Sequence, residues 1–342
     1  MTYSPYFNQS LEWSEFWQKA NNDSKHKIRV FESKNLKAYV YQYPFVLDKY
    51  FWYLPRGVIL KNHSNLDDDL KQELENMMLE ISCKAKINKH ITFLKVDYDL
   101  NFLYLYIYND RCRSPKILLD ECENVGYTKS NKQLQYQSTK IISLKELVFT
   151  ENIQSFWNKN NKWFNEYFDK RTRYGTRKSL ELNWVCSDDK NIENFEAFYE
   201  LYQQTSKRQN FNIHSKNYLK TLLFQSCSKL IVLKNKNKIH ACWFGVIINK
   251  SIINLYGANN STSRDLYGQY LLHLFAIYNG VKENCLEYDL GGLEVGKGYD
   301  LFKQGYKGSI REFSETYDII YLPIVYSLYH QYTKAKQLIS GI

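Results

Sequence analysis

The second half of the chain presents helix-like and strand-like segments in one order, and that order constrains the fold more than any other feature. Two helix-like segments come first, followed by three strand-like segments joined by short turns. A helix, a strand, a short helix and a last strand then follow. The segments lie at 194–207, 215–226, 230–233, 239–248, 251–256, 264–279, 286–290, 299–304 and 309–313. This order predicts an α+β domain built on an antiparallel meander.

The same order resembles that of the GNAT fold, the fold of the acyl-CoA N-acyltransferases. The first half of the chain also carries a helix-like segment at 11–20, strand-like segments near 28–32, 38–44 and 50–54, a helix at 66–82, and two further strand-like runs at 91–98 and 102–108. We therefore predict an α+β protein of two tandem GNAT-like domains. Residues 1–150 plus 318–342 would form the first domain, and residues 151–317 would form the second.

One loop argues against acetyl-CoA as the acyl donor. GNAT enzymes hold the donor's pyrophosphate on an R/Q-x-x-G-x-G/A loop at a helix N-terminus, where small residues let the phosphates approach main-chain amides. Arg264 opens the corresponding stretch here, but Tyr267 and Gln269 occupy two positions where small residues are needed. This sequence predicts a different acyl donor.

The segment 289–308, DLGGLEVGKGYDLFKQGYKG, combines a strand end, a glycine pair and a lysine beside an aromatic ring. Glycine tolerates backbone angles that other residues avoid, so Asp289-Leu290-Gly291-Gly292 predicts a sharp turn. Downstream, Phe302-Lys303 places one cation beside a ring. A cation held in this way suits stabilisation of a reacting carbonyl.

Several short segments together resemble the FemABX family of aminoacyl-tRNA-dependent peptidyltransferases, which add amino acids to peptidoglycan precursors. The resemblance covers most of the chain in pieces, and the order of the segments makes it specific. These segments are Tyr53-Leu54-Pro55-Arg56-Gly57, Thr205 with Arg208, His214 with Tyr218, Asn254-Leu255-Tyr256-Gly257-Ala258, Asp289-Leu290-Gly291-Gly292 and Phe302-Lys303. The short spacing between Tyr199 and Ile239 is similar to that of compact members without a coiled-coil arm.

The resemblance implies a reaction and a set of site residues. An aminoacyl group, with glycine, alanine or serine expected, would pass from tRNA to the side-chain amine of a peptidoglycan stem peptide. Lys303 would stabilise the oxyanion and Phe302 would orient it. The residues implied for the precursor site are Arg56, His214, Tyr218, Tyr256 and Asp289. Asp289 could also accept a proton, or could simply cap the turn.

The resemblance is incomplete at His214. The family often carries arginine at this position, where it pairs with precursor phosphates. Histidine is only partly charged near neutral pH, so phosphate binding here is expected to be weaker.

A basic stretch opens the second half of the chain and resembles a basic segment of the family. Arg171, Arg173, Arg177 and Lys178 lie close together in it. They predict contacts with tRNA phosphates, with a solvated helix face as the alternative. The whole chain carries a net charge of +10, which also suits a polyanionic partner.

Composition adds expectations about compartment and cofactors. Seven cysteines without a C-x-x-C pair argue against a zinc site or a disulfide framework and favour a reducing compartment. The N-terminal residues do not resemble a signal peptide, and no apolar run reaches the roughly 20 residues of a membrane helix. We expect a cytoplasmic protein with no metal and no cofactor other than its aminoacyl-tRNA co-substrate. The precursor could be nucleotide-linked or lipid-linked, the latter with peripheral contact at the inner membrane face.

Two alternatives to the peptidyltransferase hypothesis stay open. One is a GNAT-type N-acyltransferase that uses a CoA or carrier-protein thioester. The other is an RNA-binding protein that has kept the fold without the chemistry. Transfer that needs no tRNA would indicate the first, and tRNA binding without any product would indicate the second.

Overall fold

A computed structural model describes residues 6–46, 48–61, 68–98, 126–130, 133–293 and 298–340. They form two compact units. The first contains the described residues of 1–137 and 312–342, and the second contains those of 138–311. The chain therefore leaves the first unit, builds the second, and returns to the first at Glu312.

The first unit combines a mixed sheet with three α-helices and a short 3₁₀ helix (Phe7–Gln9) among its described residues. Its strands are β1 (Lys27–Glu32), β2 (Leu36–Pro44), β3 (Tyr50–Leu54), β4 (Ile59–Leu60), β5 (Ile91–Val96), β6 (Gly126–Lys129) and β14 (Tyr317–Ile320). Its helices are α1 (Leu11–Ala20), α2 (Asp68–Ile87) and α11 (Pro323–Ser340). Helix α1 begins where the Ser10 side chain accepts a hydrogen bond from the Trp13 amide, as expected of an N-cap.

The second unit contains a larger set of helices around a second sheet. Its strands are β7 (Ser138–Ser143), β8 (Val185–Asp188), β9 (Ser228–Asn235), β10 (Lys238–Ile248), β11 (Ser251–Asn259), β12 (Glu287–Gly292) and β13 (Ser309–Glu312). Its helices are α3 (Ile153–Lys159), α4 (Asn161–Tyr167), α5 (Lys170–Glu181), α6 (Ile192–Gln209), α7 (Lys216–Leu223), α8 (Ser261–Asp265), α9 (Gly268–Lys282) and α10 (Gly298–Gln304).

Both sheets share one connection pattern. In the first, β1, β2 and β3 form an antiparallel meander, and β5 pairs in parallel with β3 after the intervening helix α2. In the second, β9, β10 and β11 form the meander, and β12 pairs in parallel with β11 after α9. The protein thus contains two tandem GNAT-like domains, as the sequence predicts.

Each sheet continues with a strand from a distant part of the sequence. Strand β14, near the end of the chain, pairs with β5, and β7 pairs with β12. These pairings place the division between units at 137/138 and 311/312, whereas the sequence analysis places it near 150 and 318.

Each unit has its own apolar core. In the first unit, α2 packs Leu70, Met77 and Met78 among the side chains of the sheet. In the second, α9 contributes Leu274 and Ile277 to a core that also contains the aromatic residues of α3 and α4. These helices have the apolar spacing that a core-facing helix needs.

Most of the predicted elements occur close to their predicted places. Two predictions lie outside the described residues, namely the start of the helix at 66 and a strand-like run at 102–108. The predicted helix at 264–279 is divided by Tyr267, which has a left-handed φ of 58° and separates α8 from α9. Among the described residues, no helix is both long and apolar enough to cross a membrane.

Candidate active site

Asp289 shapes the turn that ends β12. Its carboxylate is buried, with the residue 1% exposed, and accepts hydrogen bonds from the Gly291 amide at 2.7 Å and from the Thr139 hydroxyl. Burial raises the pKa of Asp289 above its ordinary value, against the opposing effect of these hydrogen bonds. The predicted substrate contact therefore needs correction, because this side chain supports the turn from inside the protein.

Gly291 is required at this turn for two reasons. Its φ of +79° lies in the left-handed region, where a side chain is strained. A Cβ at this position would also lie 2.6 Å from the main-chain oxygen of Asn254 on β11. The turn can therefore come this close to β11 only when the residue is glycine.

Lys303 lies against the same turn. Its Nζ donates a hydrogen bond of 2.6 Å to the carbonyl oxygen of Gly292, and it lies 5.2 Å from the centre of the Tyr299 ring. The lysine is partly exposed, and its ammonium group is held by main-chain and ring contacts at the end of β12. This arrangement fixes a positive charge at the position that the sequence predicts for catalysis.

Phe302 anchors the helix that carries Lys303. Its ring packs against Tyr270 and His273 of α9, at centre-to-centre distances of 5.1 and 5.0 Å, and against Tyr306 at 5.4 Å. These contacts fix the position of α10 on the core. Phe302 therefore orients Lys303 by holding its helix in place.

A hydrogen-bonded group beneath Phe302 was not predicted from the sequence. His273 Nδ1 lies 2.5 Å from the Tyr288 hydroxyl, and the indole of Trp243 donates to the same hydroxyl at 3.1 Å. Burial lowers the pKa of His273 to about 3, with the charge of Lys303 as a second cause. The imidazole is therefore neutral near pH 7. No spacing in the sequence connects these three residues.

Tyr256 lies beyond the end of the parallel pairing between β11 and β12. The two strands pair over Ser251–Ile253 and Glu287–Asp289. Tyr256 on β11 and Gly292 on β12, whose carbonyl holds Lys303, both follow these paired residues. Carboxyl ends of neighbouring parallel strands are common sites for ligands.

An aromatic group surrounds Tyr256. The rings of Tyr202 and His214 lie 5.7 and 5.8 Å from it, and His214 stacks on Tyr218 at 4.4 Å. The structure thus brings together three of the residues predicted for the precursor site, namely Tyr256, His214 and Tyr218. This group lies where α6 and the start of α7 pack beside β11.

His214 supplies little positive charge to this group. The residue is exposed, but its ring contacts Tyr218 and Tyr256, and partial desolvation lowers the pKa of His214 below its ordinary value. Near neutral pH the imidazole is therefore neutral and can donate or accept a hydrogen bond. The weaker phosphate binding expected from the histidine stays a prediction.

Arg56 is a buried structural residue of the first unit. It is 2% exposed, and its guanidinium carbon lies 3.4 Å from the centre of the Phe313 ring. It donates to the Tyr136 carbonyl at 2.7 Å, and its main-chain amide donates to Asp97 at 2.6 Å. The prediction that Arg56 lines a precursor site therefore needs correction, because its partners enclose it within the first unit.

The four basic residues predicted for tRNA contact lie on α5 but differ in their contacts within the protein. Arg173 donates to main-chain carbonyls at the end of α4, and Lys178 forms an ion pair with Glu181 at 2.7 Å. Arg171 and Arg177 are exposed, and Arg171 also donates to the Leu301 carbonyl at 2.5 Å. All four residues lie on one helix, and the tRNA contact stays a prediction.

Comparison with known proteins finds a family that the segment around Lys303 resembles. The model of the FemAB family matches residues 225–334, the stretch that carries Tyr256, Asp289, Phe302 and Lys303. The chain is similar to the FemAB family over this segment. The resemblance predicted from the sequence is confirmed by this match. No curated protein matches the chain.

Solved structures show the same fold over nearly the whole chain. The crystal structure of FemX matches 95% of this chain and 94% of its own, with a TM-score of 0.71 and 14% sequence identity. A C-terminal DUF2156 domain from Agrobacterium fabrum, described as part of a lysylphosphatidylglycerol synthetase, matches 91% of this chain and 87% of its own, with a TM-score of 0.55 and 8% identity. A protein of unknown function from Bacteroides thetaiotaomicron covers 93% of both chains, with a TM-score of 0.51 and 12% identity.

At these identities the structural matches establish the fold. The match to FemX extends over both GNAT-like domains of this chain. Helices α6 and α7 follow each other closely and lead directly into β9, so this part of the described chain contains no coiled-coil insertion.

Proposed function

We propose that the protein transfers an aminoacyl group from aminoacyl-tRNA to the side-chain amine of a peptidoglycan stem peptide, in the formation of a cell-wall cross-bridge. The observation that carries this proposal is the Lys303 ammonium group, held on the carbonyl of Gly292 inside the FemAB segment. Glycine, alanine and serine are the expected aminoacyl groups.

The acyl donor of this reaction is already an activated ester, so the protein needs no nucleophile of its own. The amine nitrogen of the stem peptide attacks the ester carbonyl and forms a tetrahedral intermediate with a negatively charged oxygen. Lys303 stabilises that oxygen. Preorganised charge of this kind contributes about 3 kcal/mol or more to a transition state.

Collapse of the intermediate completes the transfer. The carbon–oxygen bond to the tRNA breaks, the new amide bond remains, and the departing ribose oxygen takes up the proton that the amine loses. His273 does not serve as the base in this scheme, because burial lowers its pKa to about 3, which makes it a weak base, and its Nδ1 is hydrogen-bonded to Tyr288 beneath Phe302. Positioning and charge therefore supply the catalysis.

The left-handed conformation of Tyr267 supports a donor other than CoA. This residue forms the N-cap of α9, at the point where GNAT enzymes expose main-chain amides to a pyrophosphate. A tyrosine there replaces the small residue that lets the phosphates of CoA approach the main chain in GNAT enzymes. An aminoacyl-tRNA donor does not need this loop.

Transfer assays with separate donors test the proposal. The purified protein is incubated with a radiolabelled aminoacyl-tRNA pool, and in parallel with acetyl-CoA, in the presence of a nucleotide-linked or a lipid-linked muropeptide. We expect a labelled muropeptide only with aminoacyl-tRNA. Product from acetyl-CoA would instead indicate a thioester-dependent acyltransferase. Binding of tRNA without product from any donor would indicate an RNA-binding protein.

A further inference from the structure

Two arginines meet at Asn259, the last residue of β11. Arg208, near the end of α6, donates to the main-chain oxygen and to Oδ1 of Asn259, both at 3.2 Å. Arg264 on α8 donates to the same Oδ1 at 3.1 Å and to the same main-chain oxygen at 3.5 Å. Elements that are distant in sequence thus bring two positive charges to one residue.

The two charges are not neutralised by an acidic side chain in the described part of the chain. Neither arginine forms an ion pair there within 4.0 Å, and Asp265, which follows Arg264 in sequence, does not pair with it. Desolvation and the charge of Arg264 lower the pKa of Arg208. Two guanidinium groups that repel each other in this way favour a bound anion.

Asn259 is held in place from both sides of the strand. Its main-chain amide and carbonyl lie 3.4 Å from the Thr205 hydroxyl, which is buried. The next residue, Asn260, caps α8 and donates its amide to the carbonyl of His240. Both arginines are exposed, and their hydrogen bonds direct them to one fixed residue at the end of β11.

The site lies close to the aromatic group at Tyr256. Asn259 follows Tyr256 by three residues on the same strand, a distance of about 10 Å at the rise of an extended chain. His214 of that group is neutral near pH 7, so it does not provide the cation that a phosphate near Tyr256 would require.

We propose that Arg208 and Arg264 form a phosphate-binding site beside the Tyr256 group. The guanidinium fork matches phosphate oxygens, and the two side chains can contact one phosphate from two directions. The identity of the phosphate rests on the proposed function. It would be a phosphodiester of the tRNA donor or the diphosphate of the muropeptide acceptor.

Binding measurements with three probes separate these sources. They are an RNA acceptor-stem microhelix ending in CCA, a nucleotide-linked muropeptide, and inorganic pyrophosphate, titrated by calorimetry at several salt concentrations.

Wild type is compared with Arg208→Gln, Arg264→Gln and the double variant. Lys282→Gln is the control, because Lys282 is exposed at the end of α9 and lies outside the site. Thermal melting confirms that each variant is folded. If Arg208→Gln does not fold, the same titrations are made with Arg264→Gln and Arg208→Lys.

We expect the double variant to lose about tenfold or more in affinity for pyrophosphate, with no loss in Lys282→Gln. A matching loss for the RNA alone, with a salt slope lower by about 1 for each phosphate contact, supports the donor as the source. A loss for the muropeptide alone supports the acceptor. Unchanged affinity for all three probes, no binding by wild type, or equal losses in Lys282→Gln would overturn the proposal. Pyrophosphate binding by a wild type that transfers no aminoacyl group would leave this site supported and the proposed function refuted.

Discussion

The Lys303 ammonium group donates a 2.6 Å hydrogen bond to the carbonyl oxygen of Gly292. This contact connects the two halves of the motif that the sequence singled out, the glycine turn after β12 and the phenylalanine–lysine pair on α10. The turn therefore does more than reverse the chain, since its main chain sets the position of the Lys303 charge.

The first prediction concerns the glycine inside that turn. Gly291→Ala adds a Cβ at a φ of +79° and 2.6 Å from the Asn254 oxygen, so the turn must move and the Gly292 carbonyl with it. We expect a destabilisation of about 1–3 kcal/mol and at least a tenfold loss in transfer. Gly257→Ala is the matched control, because a Cβ at Gly257 meets no atom within 4 Å. Equal effects of the two substitutions on denaturant midpoint and rate would contradict this explanation.

Substitutions at Asp289 can distinguish two roles of this residue, support of the turn and transfer of a proton. Both of its hydrogen bonds end on Oδ1, so Asp289→Asn keeps an acceptor there, whereas Asp289→Ala leaves the buried Gly291 amide unpaired. We expect Asp289→Ala to lose about 1–3 kcal/mol of stability and most of its activity. Asp289→Asn should keep its activity within a few fold in steady-state assays. A folded Asp289→Asn protein that is as inactive as Asp289→Ala would show that the carboxylate itself takes part in the chemistry.

His273 should make the second unit sensitive to acid. Its folded pKa of about 3 lies below its ordinary value of 6.5, so between these values the unfolded chain binds more protons than the folded protein. The stability of the unit should therefore fall as the pH falls from about 6.5 toward 3, by at most about 1.4 kcal/mol per pH unit from this residue. Urea unfolding at pH 7 and pH 5 can measure this contribution.

The matched variant for that measurement is His273→Gln, which does not titrate and can still hydrogen-bond to Tyr288. It should be less stable than wild type at pH 7 because the ring contacts with Phe302 are lost. The difference between the two proteins should shrink at pH 5. A difference that is the same at both pH values would mean that His273 is not kept neutral by the fold.

Arg56 should contribute to stability and not to substrate binding. Arg56→Met removes a buried cation from Asp97 and from the Tyr136 carbonyl, and breaking a buried pair costs about 3–5 kcal/mol. The exposed pair of Lys129 and Glu315 in the same unit is the comparison, and Lys129→Met should cost at most about 1 kcal/mol. Thermal and denaturant unfolding measure both values. A stable Arg56→Met protein with weakened muropeptide binding would instead support the prediction that Arg56 belongs to the precursor site.

Local sequence patterns predicted much of the fold because they reflect local physics. The helix at 11–20 and the meander of β9, β10 and β11 have apolar spacing and turns that are sufficient to identify them. The GNAT-like order follows from these elements. The glycine turn at Asp289–Gly292 was recognisable for the same reason, since glycine marks a special backbone conformation.

Other features depend on contacts between distant segments and could not be predicted. Strand β14 pairs with β5, and β7 pairs with β12, across long stretches of sequence. The observed boundaries between the two units therefore differ from the predicted ones. Tyr267 interrupts the helix that the apolar pattern predicts, and the glycine that follows it, Gly268, was not recognised as a sign of the break.

The site shows the same limit. The burial of Arg56 depends on the distant Tyr136 and Phe313, which no motif connects to it. The meeting of Arg208 and Arg264 at Asn259 likewise requires α6 and α8 to approach the end of one strand. The sequence identified each arginine separately, within two different motifs, and gave no sign that they meet.

The central claim is that the Lys303 ammonium group stabilises the oxyanion of aminoacyl transfer. Single-turnover transfer from aminoacyl-tRNA to a muropeptide, with all components saturating, tests it in Lys303→Met and in Lys307→Met, an exposed lysine four residues further along the chain. We predict a fall of about 100-fold or more in the rate for Lys303→Met, with unchanged melting temperature and tRNA affinity, and no change for Lys307→Met. A folded Lys303→Met protein that transfers the aminoacyl group at the wild-type rate would contradict the claim.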